Sequence, residues 1–172
     1  MEYDKREIFL DRKKRYVFQK KLIDKYKKTL LSIKVNHPSN NTTTVNIIKS
    51  MDDIITDIFN DKIYLKIFRI TLEGPVVIIL LNIDEIEAKK VCMEIEDKHM
   101  LGGCIDVCVY NSNHKLISRK DFGYEKRRCF ICNNLIDYCV KYKIHTDIEI
   151  LEKMRKIYLS YVNKYYSSRF NK

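Results

Sequence analysis

The sequence predicts an α+β fold with a largely antiparallel sheet and a helical C-terminal tail. Short apolar or alternating runs are bounded by turn residues, helical periodicities separate them, and two pairs of strand runs are joined by tight polar turns rather than by helices. The order read along the chain is α-β-α-ββ-α-ββ-αα. Its 172 residues suffice to bury a real core, and the length favours one domain.

From Asp4 to Lys28, Phe9, Tyr16, Leu22, Ile23 and Tyr26 recur among charges, the mark of an amphipathic helix. Thr29 to Asn36 alternates as a strand, with Leu31, Ile33 and Val35 on one face. His37 to Thr44, with Pro38 and Asn40-Asn41, reads as a polar loop, and Val45 to Phe59 as the second helix. Ile63 to Leu72 and Pro75 to Leu81 form a hairpin around Glu73-Gly74; the second arm is nearly all apolar and should lie centrally. Asp84 with Glu87 resembles a capping box for a helix reaching Lys98, which Gly102-Gly103 ends. Cys104 to Tyr110 and Lys115 to Asp121 make a second hairpin through Asn111 to His114. The tail is helical near Ile131 to Lys143 and from Thr146 to Tyr166.

The longest apolar run, Pro75 to Leu81, is too short to span a bilayer, and Met1 to Lys5 opens no apolar signal region. A cytoplasmic protein is expected, whose six cysteines read as thiols or metal ligands before disulfides. The net charge of +10 points to anionic partners: nucleic acid, a phosphorylated cofactor, an acidic protein or a membrane surface. Much of it lies in Arg12 to Arg15, Lys20-Lys21 and Lys25 to Lys28, where a solvated helix face explains it equally well.

Chemistry concentrates between Leu101 and His145. Period-two geometry puts Ile105, Val107 and Val109 on one face of a strand, and Cys104, Asp106 and Cys108 on the other. If the hairpin closes symmetrically through a four-residue turn, Asp106 lies opposite Arg119 and Cys104 opposite Asp121. Asp106 and Asp121 would then suit Mg²⁺ bridging to phosphates. A Gly-Gly approach to a strand carboxylate resembles a nucleotidyltransferase palm, although such palms carry two carboxylates two residues apart and Cys108 is a poor magnesium ligand. The plainer reading is an Asp106–Arg119 surface ion pair, with Cys104 and Cys108 as small buried residues.

Cys129, Cys132, Cys139 and His145 supply four candidate zinc ligands, and a closed tetrahedral site is chemically reasonable. On one helix, Cys132 and Cys139 would face the same way, so core packing of free thiols explains that pair too.

These residues carry a family resemblance. Leu101-Gly102, Ile105-Asp106-Val107, Ser118 to Phe122, and Arg127-Arg128-Cys129-x-x-Cys132 with Cys139 and His145 resemble the C-terminal half of the citrate lyase holo-acyl-carrier-protein synthases of the CitX type. Arg12-x-x-Arg15-x-x-x-Gln19, Leu30 to Pro38, and Glu94-x-Glu96-x-x-His99 resemble its upstream pattern. The resemblance implies a phosphoribosyl-dephospho-CoA transferase, moving the prosthetic group from triphosphoribosyl-dephospho-CoA onto a serine of the citrate lyase acyl carrier subunit with release of diphosphate. It implies Asp106 and Asp121 as carboxylates on the metal or diphosphate side and His99 as the base. Arg12, Arg15, Arg119, Arg127 and Arg128 would contact phosphates, with Gln19 and Asn36 as orienting groups.

Three departures stand out. The family's Gly-Arg pair is Gly102-Gly103, its second strand carboxylate falls at Cys108, and its Pro-Gly loop with a following lysine reads Pro38 to Thr42. Asp121, Glu94 or Glu96 would have to supply the missing oxygen ligand. Two alternatives follow: a degenerate relative that binds carrier or nucleotide without turnover, and a zinc-stabilised basic nucleic-acid-binding module. No recognition motif and no strand platform of tyrosines support the latter.

Overall fold

The computed structural model describes residues 4–166, and its element order matches the sequence reading. Helix α1 spans Lys5–Tyr26, β1 Thr29–Val35, α2 Thr42–Phe59, β2 Ile63–Thr71, β3 Gly74–Leu81, α3 Glu85–Lys98, β4 Ile105–Tyr110, β5 Leu116–Ile117, α4 Ile136–Tyr142 and α5 Asp147–Tyr166. The strands form a five-stranded, wholly antiparallel sheet in the order β2-β3-β1-β4-β5.

Both faces of the sheet are covered. Leu31, Ile33 and Val35 of β1 join Val77, Ile79 and Leu81 of β3 and Ile105, Val107 and Val109 of β4 in one core, which α2, α3 and α5 close with Ile48, Met51, Cys92 and Met154. The other face packs Leu30, Val76, Ile78 and Leu80 against Leu22 and Ile23 of α1. Burial on both sides is why β3 carries an unbroken apolar run, all eight residues of it buried. No helix among the described residues is long and apolar enough to cross a membrane.

Helix α2 starts earlier than expected. The Asn41 side chain accepts the Thr44 N–H at 2.9 Å, and the Thr44 hydroxyl donates to Ser39 O at 2.8 Å, turning three loop-like threonines into a first helical turn. Asn41→Ala should therefore cost about 1 kcal/mol in chemical denaturation; an unchanged midpoint would show that this cap contributes nothing.

The second hairpin departs from expectation. Its observed register pairs Val109 with Ile117 and Tyr110 with Leu116, one residue away from the four-residue-turn register. A one-residue slip exchanges the faces, so Arg119 and Asp121 lose the side of the sheet that Asp106 occupies. β5 also stops at Ile117, and residues Arg119–Phe122 form a 3₁₀ turn. Side chains serve the β4 edge beyond it: Glu96 accepts the Val107 N–H at 2.9 Å, Lys89 donates to Val107 O at 3.2 Å, and Arg127 donates to Ile105 O at 2.6 Å. The charged groups stand in for a partner strand and leave that edge satisfied. Cys104 likewise lies before the strand, in a 3₁₀ turn, and is buried in the α2/α3/α5 core rather than beside Asp106. Cys132 precedes α4 instead of sharing a helix with Cys139.

Candidate functional site

Polar side chains interrupt the α1-side face of the sheet at one end, where β1 finishes and β4 begins. Ser32 pairs across the sheet with Cys108, and Lys34 with Asp106. The Lys34 ammonium reaches Asp106 Oδ2 at 2.5 Å, and the Cys108 thiol lies 3.8 Å from the same oxygen. Burial pushes the Asp106 carboxyl up. The Lys34 ammonium, by charge and by hydrogen bond, with Arg127 and Lys89 behind it, pulls it below its usual value. Burial and the adjacent Asp106 charge raise the Cys108 thiol to about 11, so it stays a neutral S–H.

Helix α1 brings the cations. Arg15 donates to both carboxylate oxygens of Glu73, at 2.5 and 3.1 Å, and its Nη1 reaches Ser32 Oγ and Gln19 Oε1, each at 3.4 Å. Arg12 Nε stands 3.9 Å from Glu73 and is half exposed. Glu73 sits in the β2–β3 turn with only 2% of its side chain accessible, and the buried Gln19 finds no partner for its Nε2 among the described residues. Glu73, Arg15, Ser32, Cys108, Asp106 and Lys34 thus form one connected polar row. A two-sided carboxylate fork fixes the guanidinium plane of Arg15 and turns its Nη1 toward Ser32.

The remaining candidates lie elsewhere. Arg119 and Arg127 converge on Glu96, at 2.7 and 3.1 Å, and Arg119 also binds Asp97. Asp121 accepts the Ser118 N–H at 2.8 Å in a capping box, which holds its carboxyl below the usual range. His99 closes α3; its Nδ1 accepts the Leu101 N–H at 3.2 Å, its ring meets Tyr161 edge-on, and burial lowers its pKa. Glu94 pairs with Lys98 on the surface. Arg128 is exposed, donates to Asn133 O at 3.3 Å and lines a shallow hollow of about 480 Å³ with Glu125, Lys126, Asn134 and Leu135. Asn36 Nδ2 donates to Gly103 O at 2.6 Å, tying β1 to the approach of β4.

Glu73, Ser32, Lys34, Lys89 and Glu96 carry most of this geometry. Ser32 and Lys34 were visible as polar residues on the second face of an alternating strand. Glu73 belongs to a turn and Lys89 is one of several charges on α3, so residue type alone singles out neither.

Cys129, Cys132, Cys139 and His145 do converge, with all four donor atoms within 4.8 Å of one another. Cys129 Sγ and Cys132 Sγ lie 3.4 and 3.3 Å from His145 Nε2, and Cys132 Sγ lies 3.4 Å from Cys139 Sγ. A tight turn builds the first pair: Asn133 N–H donates to Cys129 O, Cys129 N–H to Asn134 O, and Arg128 bridges to Leu135. The Asn134 backbone N–H and the neighbouring donors draw the Cys132 thiol down to about 6, toward the thiolate that binds metals. Tetrahedral zinc with bonds of 2.3 Å to sulfur separates its sulfur ligands by roughly 3.7 Å, so three thiols and an imidazole at these distances suit one cation.

Phe130, in the same turn, explains one departure. A Cβ at Gly103 would stand 2.9 Å from Phe130 Cβ, too close for any larger side chain unless Phe130 shifts. Gly103→Arg should consequently destabilise the protein by about 1–3 kcal/mol instead of restoring a phosphate contact; a variant of wild-type stability in thermal denaturation would show that Phe130 yields freely.

Fold and site define an α+β protein whose sheet ends in a cation-rimmed carboxylate row, with a separate Cys₃His cluster downstream. The family model described as apo-citrate lyase phosphoribosyl-dephospho-CoA transferase, CitX, matches residues 4–161, and the chain belongs to this family. It is 27% identical over 153 residues to protein CitXG of Haemophilus influenzae, covering 85% of this chain and 33% of that protein. It is 25% identical over 88 residues to the apo-citrate lyase phosphoribosyl-dephospho-CoA transferase of Escherichia coli O9:H4, and equally to that of Shigella boydii serotype 18, covering 51% of this chain and 48% of each relative. The matches thus span a third to about half of these relatives' length.

Proposed function

We propose that this chain transfers the phosphoribosyl-dephospho-CoA group of triphosphoribosyl-dephospho-CoA to a serine of the citrate lyase acyl carrier subunit, releasing diphosphate. Family membership supports the reaction, and the observation that carries the site is the row joining Arg15, Ser32, Lys34 and Asp106 at one end of the sheet. The serine oxygen bonds to the innermost phosphorus of the triphosphate, and the bond from that phosphorus to the departing diphosphate breaks. Asp106 orients the hydroxyl and takes its proton, while Arg12, Arg15 and Lys34 balance charge on the departing diphosphate. Displacement at that phosphorus depends on in-line positioning and on cations facing the leaving diphosphate, which this row supplies. We read the sheet as a palm of the nucleotidyltransferase type, with Asp106 in the place of its first carboxylate.

The residues do not fit a two-carboxylate Mg²⁺ site. Cys108 holds the second strand position, and Asp121 is committed to the Ser118 cap. His99, bound to the Leu101 N–H and packed on Tyr161, serves α3 rather than the reaction. Arg119 and Arg127 hold the β4 edge through Glu96. The Cys₃His cluster fits structural zinc, which would cross-link Cys129, Cys132, Cys139 and His145 and so fix the segment that presents Arg127.

Incubating the protein with donor and apo-carrier, then weighing the intact carrier, tests the reaction: one prosthetic group of added mass per carrier is expected. Binding of carrier without any mass increase would instead favour a degenerate relative, in line with Cys108 and with the filled space at Gly103. Glu73→Gln, which frees the Arg15 fork, should raise KM for the donor about tenfold with a smaller change in kcat. An unaltered KM in steady-state kinetics would remove Arg15 from the donor site.

A further inference from the structure

The buried and exposed sides of α1 differ in a way that the donor site does not explain. Its inward side packs Phe18, Gln19, Leu22 and Ile23 on the sheet and sends Arg15 into the polar row. Its outward side leaves Phe9, Leu10, Tyr16 and Val17 exposed, at 56, 52, 48 and 51%. At roughly 100° per residue, Phe9 and Tyr16 stack along one line, Leu10 and Val17 along a second about 100° round, and Lys13 and Lys20 run between them. Lys13 lies 4.6 Å over the Phe9 ring and Lys20 5.6 Å over the Tyr16 ring, and among the described residues neither forms an ion pair. Residues 5–28 hold eleven Lys or Arg against three Asp or Glu, which accounts for most of the chain's net +10.

We infer that this outward face of α1 docks an acidic protein surface, that of the acceptor carrier, beside the row that receives the donor. The inference rests on the transfer reading given above. A macromolecular acceptor needs a contact area of several hundred Å² outside the reacting centre. α1 offers one that borders the centre, because the half-exposed Arg12, which reaches Glu73, neighbours Phe9 and Tyr16 at three and four residues' distance on the helix. Exposed rings and aliphatic groups supply the apolar anchors and the unpaired ammonium groups supply steering and register, as at charge-complementary interfaces. A helix that lies on a bilayer puts its cations on the polar flank. Here Lys13 and Lys20 run down the middle of the apolar stripe, where carboxylates of a protein partner can meet them but acyl chains cannot.

The test uses purified full chain, apo-carrier and donor. Wild type should bind the carrier with an affinity that falls steeply as salt rises, and Lys13→Glu/Lys20→Glu and Tyr16→Ala/Val17→Ala should each weaken it at least tenfold while donor binding is unchanged. Carrier binding, or KM for carrier in transfer, that is unaltered in both double variants would overturn the docking face and leave the transfer reading intact. Absence of both binding and modification by wild type would overturn the transfer reading and the docking face together. Binding to vesicles rich in anionic phospholipid with no binding to carrier would also overturn the assignment.

Discussion

Removing the zinc proposed for the Cys₃His cluster is expected to lower the thermal midpoint by about 10–20 °C, a loss of about 5 kcal/mol in a chain of this size. Besides the cluster, the segment is held by Phe130 against the core, by the Lys126–Asp137 ion pair and by the contacts of Arg127. α4 has seven residues, too few to persist alone, and the turn before it rests on three backbone hydrogen-bonding contacts around Cys129 and Arg128. Structural zinc binding is worth about 10 kcal/mol or more in small domains, part of which the remaining packing would retain. The effect should spread beyond the cluster. Arg127, two residues from Cys129, holds Ile105 O, Gly102 O and Glu96, so metal loss slackens the start of β4 next to Asp106. Metal analysis should give one zinc per chain, and Cys132→Ser, at an exposed ligand, should reproduce the drop. Metal-free protein melting at the wild-type temperature would contradict this.

Asp106→Asn should reduce kcat/KM for transfer by about 10²–10³-fold without unfolding the protein. The amide oxygen can still accept from Lys34, while the negative charge and the proton acceptor are lost. Because the folded carboxyl is depressed, its ion pair with Lys34 is intact above the carboxylate's unfolded pKa and fails only as pH falls through the lower folded value. The active form should therefore persist from neutrality to below about pH 4 as far as this group is concerned. Both partners are about a third exposed, so the pair matters to charge placement more than to stability. Circular dichroism would confirm the fold of the variant, and near-wild-type transfer would remove Asp106 from the chemistry.

Most of the backbone was legible in the sequence because periodicity and turn chemistry agreed along its length. The alternation in β1, the apolar run of β3 and the Asp84 cap all lie where their patterns placed them. The second hairpin misled for a definable reason: Lys115 to Asp121 has strand-like spacing, but Glu96 draws Arg119 away and the Ser118–Asp121 capping box turns the chain. Neither competitor is visible without knowing that α3 packs beside β4. The cysteine cluster was legible as a set of residue types, whereas its geometry depends on the turn at Cys129, which delays the expected helix until Ile136, past Cys132. Glu73 was missed because its partner, Arg15, is 58 residues away in sequence.

Locating the bound triphosphate tests the central claim most directly, by a crystal structure of the protein with triphosphoribosyl-dephospho-CoA. Phosphate density is expected between Arg15, Lys34 and Asp106, at the end of the sheet where β1 and β4 meet. Triphosphate seated instead in the hollow beside Arg128, with that row untouched, would contradict it.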